Sequence, residues 1–166
     1  MLYVSTRSDA TPLSFEETVL AGLAPDGGLY VPVSIPTVTA NMLSSWSKLS
    51  FQGLALELFS LYIDPKEISR SELANLINAS FSYSKQASNP SSFDDNNNFT
   101  HAAITPLRRL DVENDVWLLE LFHGPTLAFK DVALQFVGNL FEFFLARKNQ
   151  PDPITVVGAT SGDTGR

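Results

Sequence analysis

A long apolar helix pattern between two short apolar strands is the feature that most constrains the fold of this chain. The helix is predicted from about Asp131 to Arg147, after the strand VWLLEL at 116–121 and before the strand ITVV at 154–157. Strands that alternate with helices are typical of α/β proteins, in which continuous apolar strands are buried in a sheet. We therefore expect an α/β fold. Because the last strand runs into a glycine-rich turn with no helix pattern after it, we expect a fragment of a longer protein whose later strands are missing.

Helices also dominate the predicted N-terminal segment. Ser14 with Glu17, and Ser69 with Glu72, have the spacing of capping boxes, in which the serine accepts from a backbone N–H and the glutamate reaches back. Each pair predicts a helix start. The first of these helices should stop near Gly22, because glycine commonly ends helices.

Between the two capping boxes the sequence predicts a turn, a strand and a further helix. Residues 25–28, Pro-Asp-Gly-Gly, have turn composition, and the brief strand 29–31 should end at Pro32. Ser50 precedes a helix pattern that should end at Asp64-Pro65. One face of this helix is predicted to be apolar through Leu54, Leu58 and Leu61.

A polar stretch at 84–100 divides the chain. It is rich in Ser, Asn and Asp, which predicts a loop or a disordered insert and marks a boundary. We expect an N-terminal segment at 1–100, with helices and short strands, and the incomplete start of an α/β domain at 101–166. In the second segment, strands at 104–110 and 116–121 should flank a polar turn.

Composition excludes several classes of protein. The net charge of −7 and the pI near 4.7 argue against a nucleic-acid-binding protein, which usually carries a basic patch. There is no cysteine and there are two histidines, so no metal site is expected. The N-terminus lacks a signal-peptide core, and no apolar run reaches the roughly 18 residues of a membrane span. We expect a soluble cytoplasmic protein with no membrane partner; the sequence indicates no oligomeric state.

Lys130 stands where a turn meets the long helix, an unusual place for a charge. On a helical wheel it shares an apolar stripe with Leu134, Val137 and Phe141. A more polar stripe runs through Asp131, Gln135, Gly138 and Glu142. This phase predicts that Lys130 points toward the buried side of the helix.

A lysine in that position has two interpretations. Burial and the positive end of the helix both disfavour an ammonium ion, and a neutral amine is the nucleophile that Schiff-base chemistry needs. Alternatively, the stem of Lys130 packs while its ammonium reaches water. The tight turn at 124–126 directly follows what we expect to be a core strand, so Lys130 lies at the carboxyl end of that strand. Ligands bind outside such ends in open α/β sheets.

The glycine-rich stretch GATSGDTG at 158–165 follows the last predicted strand. Its glycines and hydroxyls can form a nest of N–H and O–H donors for a phosphate or a carboxylate. It has neither the Walker A nor the GxGxxG spacing, and an ordinary βα turn is an equal alternative. On these residues alone, a phosphate- or nucleotide-binding α/β domain and a non-catalytic truncated product stay open.

Two motifs together are more specific than either alone. FHGPTLAFKD at 122–131, followed by TVVGATSGDTG at 155–165, resembles the threonine synthase family of pyridoxal-phosphate enzymes of fold-type II. The N-terminal stretch that ends in DGGLYVP is similar to the opening of that family. WSKLSFQGLALEL and KDVALQFVGNLFEFFLARK are similar to its fungal branch. The resemblance implies that O-phospho-L-homoserine and water are converted to L-threonine and phosphate, by γ-elimination and β-hydration, in the last step of threonine biosynthesis.

The same resemblance implies a role for individual residues. Lys130 would bind pyridoxal 5′-phosphate covalently and later move protons at Cα and Cβ of the substrate. His123 would contact the substrate phosphate or serve only the strand end. The substrate carboxylate would be held by the loop residues Thr160, Ser161, Gly162, Asp163 and Thr164, of which Asp163 would also lie near the 3′-hydroxyl of the cofactor. Partners for the cofactor phosphate and the pyridine nitrogen would lie further downstream, so this region alone is expected to be inactive.

Overall fold

The computed structural model describes residues 1–7, 11–84 and 99–148, together with Thr155 and Val157. Ile154 and Val156 of the predicted strand at 154–157, the glycine-rich stretch after it and most of the polar insert lie outside the described residues. Within the described residues the chain forms a mixture of helices and short strands, which confirms the predicted α/β class. The elements in chain order are β1 Tyr3–Ser5, α1 Phe15–Ala21, β2 Tyr30–Pro32, α2 Ala40–Trp46, α3 Phe51–Phe59, α4 Arg70–Ser80, β3 Leu107–Asp111, β4 Val116–Leu119 and α5 Asp131–Arg147.

Both predicted capping boxes are confirmed. At the start of α1, Glu17 N donates to the Ser14 hydroxyl at 3.3 Å and Ser14 N donates to the Glu17 carboxylate at 2.8 Å. Ser69 and Glu72 make the same reciprocal bonds before α4. Helix α1 ends at Gly22, whose φ of 70° is a conformation that glycine adopts without steric cost.

The four strands form two small antiparallel sheets. In the first, β1 pairs with β2 in a register that sets Val4 opposite Val31. In the second, β3 pairs with β4, with Arg108 opposite Leu118 and an irregularity before Asp111. The predicted strands on either side of the polar turn are therefore confirmed, although both are shorter than expected. Ile104 lies outside β3, with a φ of 58° and a fully buried side chain.

The apolar core lies among α3, α4 and α5. The ring of Phe136 in α5 packs 4.7 Å from that of Phe59 and 6.3 Å from that of Phe81. The fully buried side chains come mainly from the two later helices and the loops that flank them, and they include Ile68, Leu73, Ile77, Phe99, Leu140 and Phe144. Each such side chain contributes about 1.5–3 kcal/mol when it is buried. Helix α5 is therefore held by the core along much of its length.

The N-terminal segment packs against the far end of α5. The ring of Phe15 in α1 lies 6.3 Å from that of Phe144, and both Arg147 and Lys148 form ion pairs with Glu16. Residues from both sides of position 100 thus share one core. The division into an N-terminal segment and an α/β domain stays a prediction.

The predicted phase of α5 was wrong. Its buried residues are Asp131, Phe136, Leu140 and Phe144, whereas Leu134, expected on the buried stripe, is 44% exposed. The reason is that apolar residues occur nearly all around this helix, so the sequence does not define one stripe. Contacts with α4 and α1 select the face that is buried.

Two further expectations were wrong. Strand β4 is exposed at every residue rather than forming part of the core, because the described elements cover neither face of the two-stranded sheet. Helix α3 ends at Phe59 rather than at Asp64, since the next two N–H groups, of Leu61 and Tyr62, donate to carbonyls three residues back, at 3.1 and 3.0 Å, instead of four. Leu54 and Leu58 are only half-buried, and Ala55 is the buried residue of that helix.

Candidate active site

Lys130 lies at the junction of a compact turn and α5, as the sequence predicted. The turn begins where Leu127 N donates to Gly124 O at 3.1 Å, and it closes where Asp131 N donates to Ala128 O at 3.1 Å. Lys130 caps α5 with helical backbone angles, and its carbonyl accepts the first intrahelical bond from Leu134 N at 2.8 Å. The backbone of Lys130 is therefore fixed by hydrogen bonds on both sides.

The partly buried side chain of Lys130 lines a cavity of about 460 Å³. The other described lining residues are apolar and come from α3, the C-terminal end of α4 and the residues around the start of α5: Phe51, Leu54, Ala55, Leu58, Phe59, Phe81, Phe129, Val132, Ala133 and Leu134. The Nζ atom lies 5.9 Å from the centre of the Phe129 ring. Lys130 thus faces apolar surroundings, as expected, but these are the walls of the cavity. The predicted stripe of Leu134, Val137 and Phe141 is not the buried face of α5.

Asp131, which the sequence predicted on a polar stripe, is buried with 3% of its surface exposed. Its carboxylate accepts two hydrogen bonds from Thr126, one from the backbone N–H at 2.9 Å and one from the hydroxyl at 2.7 Å. The negative charge also lies in the first turn of α5, where it favours the helix. The signal in the sequence was a threonine five residues before an aspartate at a helix start.

Gly124 lies against the same carboxylate. A β-carbon at this position would stand 2.3 Å from the Oδ2 atom of Asp131 and 2.4 Å from its Cβ, much closer than atoms approach. Glycine is therefore required here because there is no space for a β-carbon. Backbone conformation is not the reason, since the φ of Gly124 is not in the left-handed region.

Leu127, at the apex of the turn, has a φ of 62°. This left-handed conformation costs an ordinary residue roughly 1–2 kcal/mol. The side chain is 62% exposed, so burial of its apolar surface does not compensate for the strain. The turn that leads to Lys130 is thus held in a conformation that its own sequence disfavours.

A buried carboxylate, Glu120, occupies the segment between β4 and the turn. It accepts from Arg108 Nε at 2.8 Å and faces His123 Nε2 at 2.6 Å. The other ring nitrogen of His123 lies 3.4 Å from the Thr100 hydroxyl, and Thr100 N donates to His123 O at 2.9 Å. Glu120 was not singled out by the sequence, because Arg108 reaches it only through strand pairing.

Both ring nitrogens of His123 therefore face protein atoms. This arrangement favours the structural role of His123 at the strand end over contact with a substrate phosphate. The substrate-binding residues predicted at 160–164 lie outside the described residues, so their role stays a prediction. No group of metal ligands occurs among the residues that the structure describes. None of the helices in the described ranges is long and apolar enough to cross a membrane.

The chain is similar to known proteins over nearly its whole length. A family model described as "Threonine synthase N terminus" matches residues 2–81. Threonine synthase of Schizosaccharomyces pombe is 50% identical over 98% of this chain and 30% of that protein. Threonine synthase of Saccharomyces cerevisiae is 50% identical over 99% of this chain and 31% of that protein. The enzyme of Pseudomonas aeruginosa is 39% identical over 99% of this chain and 31% of that protein.

Solved structures of threonine synthases are also similar to this chain. The crystal structure of yeast threonine synthase matches 92% of this chain and 28% of its own, with a TM-score of 0.75 and 46% identity. Threonine synthase from Brucella melitensis, solved with bound PLP, matches 90% of this chain and 28% of its own, with a TM-score of 0.73 and 36% identity.

The fold is that of the opening region of fold-type II enzymes. Within that class, the chain belongs to the threonine synthase family, and it corresponds to the N-terminal part of those proteins. The predicted likeness to the fungal branch is confirmed by the 50% identity to yeast relatives, against 39% to the bacterial one. The chain spans about 30% of the length of the curated relatives it matches.

Proposed function

We propose that the protein which contains this region is a pyridoxal-phosphate-dependent threonine synthase, a lyase that converts O-phospho-L-homoserine and water to L-threonine and phosphate. One observation carries the proposal: a chain with 50% identity to threonine synthases places a lysine at the start of α5, against an apolar cavity. No observation on the described residues favours nucleotide binding or a non-catalytic role.

The described residues fit part of the cofactor. The Lys130 amine suits its aldehyde, and the cavity volume of about 460 Å³ lies within the usual range for ligand pockets. Apolar walls suit the faces of an aromatic ring. They do not suit a phosphate group, so the donors for the phosphate and the partner of the pyridine nitrogen are assigned to residues outside the described lining.

The chemistry divides between the cofactor and this chain. Pyridoxal phosphate, when bound, supplies the electron sink that stabilises negative charge at substrate carbons. Lys130 anchors the cofactor and afterwards holds and returns the protons at Cα and Cβ of the substrate. The apolar side chains of α3 exclude water from one side of this amine. The residues at 160–164 are assigned to the substrate carboxylate, and Asp163 also to the 3′-hydroxyl of the cofactor, on family resemblance alone.

The test is chemical labelling of the holoenzyme. Borohydride reduction should fix the cofactor on one peptide, and mass spectrometry should locate it at Lys130. Lys130→Ala should abolish the visible absorption of the bound cofactor and the production of threonine, with the far-UV circular dichroism unchanged. Lys66→Ala is the matched control, because Lys66 is an exposed lysine that does not line the cavity.

Three outcomes would overturn the proposal. Labelling of a lysine other than Lys130 would remove its role as anchor. Tight binding of ATP without any affinity for pyridoxal phosphate would favour a nucleotide-binding domain. Unfolding of Lys130→Ala would indicate that the lysine is structural. The cytoplasmic location and the absence of a nucleic-acid or membrane partner stay predictions from the sequence.

A further inference from the structure

Asp131 is a buried carboxylate that the proposed chemistry does not use. Burying a carboxylate is costly unless hydrogen bonds compensate. Here both of its oxygens accept from Thr126, at 2.9 and 2.7 Å. The residue immediately before it is Lys130, so a group that is expensive to bury lies one residue from the proposed cofactor anchor.

The bonds between Asp131 and Thr126 close the turn into a ring. Thr126 is held against the start of α5, and the turn residue Gly124 packs directly on the carboxylate. Leu127, inside this ring, keeps its left-handed backbone. Strained residues of this kind persist only where the surrounding structure imposes them, and they concentrate at functional sites. The carboxylate of Asp131 is the buried group that contacts both Gly124 and Thr126, the residues that lead into Leu127.

The position of Lys130 depends on that ring. The amine of a lysine stands at the end of a four-carbon stem. The region that the amine can reach therefore depends on the position of the Cα atom. Lys130 lies within this ring, immediately before Asp131, whose backbone N–H also donates to Ala128 O at 3.1 Å. A shift of the ring would therefore move the amine within the cavity.

We propose that Asp131 is a positioning residue of the active site. Its carboxylate holds Thr126 against the start of α5 and thereby fixes where the Lys130 amine stands relative to cofactor and substrate. This inference rests on the proposed function, because it concerns the placement of the cofactor anchor. A positioning role differs from simple electrostatic stabilisation of a helix N-terminus, which depends only on the negative charge of the residue.

The first test compares Asp131→Asn with Asp111→Asn in the holoenzyme. Asp111 is the matched control, since its carboxylate also accepts N–H bonds within a turn, at 2.8 and 3.2 Å, but at the other end of the β3–β4 hairpin. Asp131→Asn should lower kcat by about 10–100-fold with little change in KM. It should also shift the visible absorption of the bound cofactor and reduce the fraction of chains that borohydride labels at Lys130.

Two more variants separate geometry from charge and from folding. Asp131→Glu keeps the charge, but its extra methylene has no space over Gly124, so it should be impaired like Asp131→Asn. Thr126→Val removes one donor and should lower kcat and the labelled fraction in a chain that folds, while Thr126→Ser should restore most of both.

The outcomes distinguish this inference from the function on which it rests. If the unmodified holoenzyme is not labelled at Lys130, the proposed function fails. If it is labelled there, and Asp131→Asn lowers only the melting temperature while kcat, labelling and absorption per folded molecule stay unchanged, the positioning role alone is overturned. Full activity of Asp131→Glu would overturn it as well, because charge without geometry would then suffice.

Discussion

The carboxylate of Asp131 occupies the space in which a β-carbon on Gly124 would stand. The two residues are seven positions apart, and their contact sets how tightly the chain turns before α5. We expect Gly124→Ala to destabilise the protein by about 1–3 kcal/mol, because the added methyl group forces the buried carboxylate away from Thr126. Chemical denaturation would measure the change.

A matched glycine supplies the control. Gly138 lies within α5, and a β-carbon there would meet nothing within 4 Å. Gly138→Ala should therefore stabilise the protein by about 0.5–1 kcal/mol, since alanine loses less backbone entropy in a helix. Equal effects of the two substitutions would contradict the close packing at Gly124.

Leu127 should be replaceable with a gain in stability. Asparagine tolerates the left-handed region better than leucine, so Leu127→Asn should raise the free energy of unfolding by up to about 1 kcal/mol. Leu23→Asn is a suitable comparison, because Leu23 is also exposed, at 63%, and has no positive φ. That change should lie within about 0.5 kcal/mol of zero. A loss of stability at Leu127 alone would argue against strain in the turn.

His123→Ala should affect folding more than substrate binding. Removing the ring leaves the buried carboxylate of Glu120 with Arg108 but without its second partner, which should cost about 1–3 kcal/mol. Because both ring nitrogens face protein atoms, KM for the proposed substrate, O-phospho-L-homoserine, should stay close to its original value. His101→Ala, which changes the neighbouring ring, should cost less. A large rise in KM for His123→Ala would instead place this histidine on the substrate phosphate.

The capping box of α4 should make stability depend on pH in the acid range. The Ser69 hydroxyl, and then its backbone N–H, donate to Glu72 and hold the pKa of that carboxyl below its ordinary value of 4.5. Because the folded pKa is the lower one, the stabilisation is complete above the unfolded pKa and is lost as the pH falls through the folded pKa.

Ser69→Ala tests this prediction. It should cost about 1 kcal/mol near neutral pH, through loss of the helix cap. The difference from the unmodified protein should shrink as the medium becomes more acidic than the ordinary pKa of a glutamate. Glu72→Gln should remove that part of the pH dependence while keeping the serine cap. A cost that stays constant down to strong acid would disprove the coupling.

Local features of the fold were predictable from the sequence. The capping boxes at Ser14 and Ser69 depend on residues three positions apart, and the bounds of α5 follow from its turn and its apolar length. The face that α5 buries was not predictable, because its apolar residues surround the helix and the choice depends on contacts with α1 and α4. The exposure of β4 likewise depends on which elements cover it.

The surroundings of Lys130 were predictable only in part. Its place at the end of a turn and its apolar environment followed from the pattern. The bonds between Asp131 and Thr126, and the pairing of Glu120 with Arg108, depend on the three-dimensional course of the turn and on strand register. A residue assigned to a polar stripe therefore proved to be buried beside the lysine.

Helix α5 belongs both to the apolar core and to the candidate site, and this limits how Lys130 can move. Amides that can exchange with solvent only when the core opens exchange at a rate set by global unfolding. The buried rings of Phe136 and Phe144 belong to the same helix that begins after Lys130. Lys130 is thus attached to a helix whose amides we expect to exchange slowly, and we expect any movement that admits substrate to come from the other walls of the cavity.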